Sequence, residues 1–179
     1  MRIGSEAKRV TIGVWLTLLG VLVMVLGPVM LLQPSSRDRR LNELRDGAQE
    51  RGVKVTMQTL PPQATDLGDP DLVPVYRLPA AKGGGPSRSW MLVRGVYQHE
   101  AHFLGDWVWQ GRERASAEEQ DCLSALLPGL PKSVRAVAGD AAGWSIYWME
   151  LGGDDALQKV LDGLVKLRDC KRPPASVPH

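Results

Sequence analysis

Two imidazoles three positions apart with a carboxylate between them, His99-Glu100-Ala101-His102, form the densest group of potential ligands in the chain. Imidazole nitrogens bind zinc or copper well, and a tight strand turn lets side chains at such positions converge on one ion. The spacing is not the H-E-x-x-H of metalloproteases, where two helical histidines lie four apart. No third ligand is near in sequence, and the remaining histidine, His179, is the last residue. The expected role is an exposed polar turn, with His99 and His102 kept as the alternative metal pair.

Other chemistries find less support. There is no G-x-S-x-G, and three histidines leave little room for a Ser-His-Asp set. Gly83-Gly84-Gly85 is not a phosphate loop, because no G-K-[ST] follows and Pro86 removes an N–H that an anion nest needs. Asp66, Asp69 and Asp71 lack the ligand order of a calcium loop, and Pro70 interrupts them. A non-enzymatic protein with no cofactor is expected.

Cys122 and Cys170 are the only cysteines, 48 positions apart and without a C-x-x-C. This excludes a thioredoxin-like motif and a zinc ribbon. An isolated pair suits one structural disulfide in an oxidising compartment, the alternative being two buried thiols. Tryptophan is also over-represented, with six against one phenylalanine. Most should fill a core; Trp107 and Trp109, which alternate with polar residues near the HEAH turn, are candidates for an exposed interface.

The elements that carry these residues follow a run of 23 uncharged positions, Val10–Leu32. As a helix it reaches about 34 Å, enough for a hydrocarbon core of about 30 Å. Arg2, Lys8 and Arg9 precede it like the leader of a signal peptide, but the run is too long for a signal core and no A-x-A-like site follows. A retained single-pass anchor is expected. Arg37, Arg39, Arg40, Arg45 and Arg51 beyond it favour a cytoplasmic C-terminal side by simple counting. That rule weakens for long segments, here 147 residues, and the cysteine pair favours the periplasm.

Ser35 or Ser36 caps an expected helix with a narrow stripe of Leu41, Leu44 and Ala48, ended by Gly52. Val53, Val55 and Met57 alternate with polar residues as a strand, and 72–79 is a second one, placed at a sheet edge by Pro74. A glycine-rich hairpin connection leads to a central strand over 90–97. HEAH then turns the chain into a returning strand bearing Phe103, Trp107 and Trp109 on one face, with Gly105 as a bulge or close-contact site. Ser116 and Glu119 form a capping box for a helix with Leu123, Leu126 and Leu127 inward. Two strands, 133–139 and 144–151, follow, joined by a D-A-A-G turn. A last helix carries Leu157, Val160, Leu161, Leu164 and Leu167 on its buried stripe.

The expected fold is α+β: a single N-terminal transmembrane helix, then an antiparallel sheet with two helices packed on one face. The chain divides into a basic tail (1–9), the transmembrane helix (10–32), a juxtamembrane helix or linker (33–52), the α+β domain (53–170) and a disordered tail (171–179). A net charge of +2 gives no nucleic-acid footprint. The functional expectation is an inner-membrane scaffold, assembly or accessory subunit of the bacterial cell envelope. It would touch membrane lipid and other envelope membrane proteins, with its domain in the periplasm. The alternative is a periplasmic ligand- or metal-binding domain using His99 and His102.

Overall fold

The computed structural model describes residues 15–24, 35–61, 72–95 and 102–170. Residues 1–14, 25–34, 62–71, 96–101 and 171–179 lie outside them, so the expectations that fall there go without a structural account. The chain separates into two compact units, Met1–Arg40 and Leu41–His179.

In the first unit, residues 15–24 are helical (α1), and every one of them is exposed. Among the described residues no helix is long and apolar enough to cross a membrane. The described part of α1 has ten residues, against 23 in the uncharged run. Helix α2 (Ser36–Glu50) begins on a reciprocal cap. The Ser35 hydroxyl accepts from the Asp38 N–H at 3.2 Å, and the Asp38 carboxylate accepts from the Ser35 N–H at 3.1 Å. These hydrogen bonds hold the Asp38 carboxyl below the usual aspartate range. From Leu41 the helix belongs to the second unit, where Leu44 and Ala48 are buried in the main core.

The second unit is α+β. Among its described residues there are seven strands, β1 (Lys54–Thr59), β2 (Leu72–Pro79), β3 (Trp90–Arg94), β4 (His102–Leu104), β5 (Trp107–Trp109), β6 (Val134–Asp140) and β7 (Gly143–Trp148). All neighbours are antiparallel, in the order β1-β2-β7-β6-β3-β5-β4. Helices α3 (Ala117–Leu126) and α4 (Gly153–Cys170) complete the unit, with a 3-10 turn, Leu127–Gly129, at the end of α3.

Three expectations are corrected by this order. First, β2 and β3 are not a hairpin. The β6–β7 hairpin, last of the strands in sequence, is inserted between them, so residues 80–89 cross about 14 Å at ~4.8 Å per strand. Second, β2 is an interior strand despite Pro74. Its ladder with β7 begins at Val75, one residue after the proline, so no rung on that side needs the missing N–H. Third, the returning strand is two strands. Gly105, at φ +60, and Asp106 turn β4 into β5, and it is β5 that pairs with β3. Gly105 is thus a turn residue, not a bulge.

Register explains the core. Val55, Tyr76, Ile146, Val137, Leu92 and Trp109 form one row across the sheet. Leu78, Trp144, Gly139 and Trp90 form another. Both rows lie in the cluster that includes the buried residues of α2, α3 and α4. Gly139 stands between two indoles, and a Cβ there would come within 2.8 Å of the Trp90 ring. A glycine is what leaves room there for the Trp90 ring and Pro86. The expected stripes of α3 and α4 are buried as read: Leu123, Leu126 and Leu127, then Leu157, Val160, Leu161, Leu164 and Leu167. The other face carries a smaller cluster of Val73, Val75, Val93, Ala136 and Tyr147, which contains no helix residue.

Candidate interaction surface

One buried carboxylate, that of Glu150, ties α2 to the sheet. Glu150 follows β7 in a left-handed conformation, φ +55, which places its carboxylate beneath α2. Arg45 donates to it twice, from Nε and Nη2, each at 2.7 Å, and the Tyr76 hydroxyl donates at 2.9 Å. The Glu150 side chain is only 4% exposed, so this fork is partly desolvated. Tyr76 also packs on Trp148 with centroids 5.4 Å apart. Burial, then the neighbouring Glu150 charge, pushes the Tyr76 hydroxyl well above the ordinary value of 10.0. Burial likewise raises Tyr147, whose hydroxyl donates to Gln58 at 3.2 Å on the opposite face.

These shifts set an alkaline limit. Both phenols have folded values raised above the unfolded one, so their contribution to stability is intact below pH 10 and is lost as pH rises beyond it. A melting series from pH 9 to 11.5 is expected to show a falling midpoint above pH 10, with a shallower fall in Tyr76→Phe. Identical slopes in the two proteins would contradict the assignment.

Trp107 and Trp109, expected at the surface, are instead buried, at 2% and 7% exposure. The cause is visible in their neighbours. The Arg94 guanidinium lies 4.6 Å above Trp107 and donates to the Pro131 carbonyl at 3.1 Å. Its Nε also forms an ion pair with Asp106 at 2.9 Å, too bent to be a hydrogen bond. Trp109 meets Trp90 edge-on at 6.2 Å and Phe103 at 5.0 Å, with Arg114 5.5 Å from its centroid. Arg94 thus covers the Trp107 ring, while its partner Asp106 stays exposed beside it.

Of the histidine pair, His102 opens β4, where its exposed ring Nε2 is 2.9 Å from the Gly105 carbonyl. His99 lies outside the described residues. Among the described residues no group of three or more His, Cys, Asp or Glu side chains is placed to hold a metal. Cys122 and Cys170 do come together, with Cα atoms 6.3 Å apart, and join α3 to the last turn of α4. Beside them a groove of about 440 Å³ runs between the two helices, lined by Cys122, Ala125, Leu126, Lys166, Leu167 and Cys170.

Among the described residues the sheet ends at β4 on one side and at β1 on the other, and the β1 edge is the longer. Met57 on β1 is 48% exposed, and Leu72, at the adjoining start of β2, is 62% exposed. Sequence reasoning found the strand but missed the edge, since it placed β2 there. It also missed the Arg45–Tyr76–Glu150 cluster. The only signal was a lone carboxylate between Met149 and Leu151, just before Gly152-Gly153. No protein-family model, curated protein or solved structure matches the chain.

Proposed function

We propose that this protein is a membrane-anchored, non-enzymatic scaffold or accessory subunit of the bacterial cell envelope. It is held in the inner membrane by one helix, with its α+β domain in the periplasm, and acts through protein–protein contacts. The observation that carries this reading is α1. Residues 15–24 are helical, and Trp15, Leu16, Leu18, Leu19, Val21, Leu22, Val23 and Met24 are all more than half exposed around the helix. Apolar side chains on every face of a helix favour lipid as their surroundings, and this stretch is the middle of the uncharged run Val10–Leu32. The Cys122–Cys170 pair at bonding distance supports an oxidising compartment. An open sheet edge supports contacts with other chains.

Carbonate extraction and a C-terminal alkaline phosphatase fusion test the placement, and purification from detergent tests the role. The chain should stay with the membranes, the fusion should be active, and a stoichiometric protein, either another subunit or a second copy, should co-purify. Release by carbonate overturns the anchor. An inactive fusion overturns the periplasmic domain. A monomer recovered alone overturns the scaffold.

A further inference from the structure

We infer that β1 is a strand-addition edge, and that the strand it takes is β1 of a second copy of this chain. The two copies would be related by a two-fold axis through Thr56 normal to the sheet. This rests on the reading of the protein as a contact-making subunit and names the contact.

The two edges of the sheet differ. β4 has three residues and a register shift against β5, so it offers little to pair with. β1 has six rungs to β2 with no shift, contains no proline, and bears a single charge, Lys54, at its start. Among the described residues, Lys54 is the one feature of β1 that would blunt an edge, and it lies at the strand's first position.

Pro74 fixes which backbone groups point outward. It faces Met57 across the β1–β2 ladder and has no N–H, so that rung is of the non-hydrogen-bonded kind. Rungs alternate, so Lys54, Thr56 and Gln58 turn their main chain toward β2. Val55, Met57 and Thr59 then present theirs to the open edge.

A second β1 fits those groups in one symmetric register. With Thr56 opposite its own copy, Val55 exchanges hydrogen bonds with Met57 of the other copy, and Met57 with Val55. Side chains agree with the backbone. Val55 and Met57 meet on the helix-covered face, which covers the half-exposed Met57. On the other face Thr56 meets Thr56, and Lys54 meets the neutral Gln58, so no like charges face each other. Centring the axis on Met57 instead would set Lys54 against Leu60. A two-fold axis normal to the sheet keeps both helix layers on one side and makes one continuous sheet. An edge contact of this size is weak in dilute solution, and two copies confined to one membrane gain effective concentration.

Cysteine pairing in native membranes, with the full chain, reads the register directly. Across a non-hydrogen-bonded pair the Cα atoms are about 4.5 Å apart, within disulfide range. Thr56→Cys should form a covalent dimer on mild oxidation. Lys54→Cys alone should give at least about tenfold less, and Lys54→Cys co-expressed with Gln58→Cys should restore it. Adding Met57→Pro to Thr56→Cys should lower the yield at least about tenfold with the melting temperature kept, because the lost N–H faces outward. Met57→Lys serves as the second variant if the proline disturbs folding. Equal yields from Thr56→Cys and Lys54→Cys would mean random collision and overturn the register. A folded Thr56→Cys chain that stays monomeric overturns the second copy as occupant. In that case, a photo-crosslinker at Met57 that captures a different protein leaves the subunit reading standing, whereas capture of none removes both.

Discussion

Replacing Glu150 with alanine should destabilise the domain by about 3 kcal/mol, at the lower end of the cost of breaking a buried ion pair. The carboxylate is the shared acceptor for Arg45 and Tyr76, so its loss leaves three donor groups without that partner in a partly dry site. The Arg45 side chain is 30% exposed and can recover some hydration, which keeps the cost from the upper end of the range. Arg45→Ala should be comparably harmful, because it strands the Glu150 charge, whose side chain is 4% exposed. A double-mutant cycle measured by urea unfolding in detergent should give a clear coupling between the two. Additive losses, or a change in Glu150→Ala below about 0.5 kcal/mol, the scatter of ordinary surface changes, would show that the cluster does not lock α2 to the sheet.

Removing the cysteine pair should have an effect of similar size by a different route. Cys122 and Cys170 close a loop with a sequence separation of 48. Chain entropy then gives about 4 kcal/mol, or roughly 8–16 °C in melting temperature for a chain of this size. The Cys122→Ser/Cys170→Ser chain should melt lower by that amount and be indifferent to reductant, while the parent chain should fall to the same midpoint when reduced. Equal midpoints with and without reductant in the parent chain would mean that the pair is unbonded in solution.

Local patterns were legible where one residue pattern met one structural demand. The Ser116–Glu119 box is present in full, and the apolar stripes of α3 and α4 face the core. The approach of Cys122 to Cys170 followed from two helices expected on the same face. Strand order was not legible, because alternation marks a strand without saying what lies beside it. A hairpin late in sequence occupies the middle of the sheet, and no local signal in residues 80–89 announces the crossing. Pro74 misled for a related reason: proline excludes a rung, and at the end of a ladder there is no rung to lose. Trp107 and Trp109 were misplaced because polar neighbours do not fix which way an indole faces: His102 and Asp106 are exposed, yet both rings lie in the main core. Arg94 lies over Trp107 and pairs with Asp106, and Arg114 lies near Trp109. The Arg45–Tyr76–Glu150 cluster joins residues 105 positions apart, a distance over which spacing carries no information.

The central claim is that an anchored domain works through protein contacts at the β1 edge. Site-specific photo-crosslinking in intact membranes tests it most directly, with the probe placed at Met57 and, for comparison, at Val165 on α4, which is 41% exposed. The account predicts a discrete protein adduct from Met57 and none above background from Val165. Equal background at both sites, in a chain shown to be folded and membrane-bound, would contradict it.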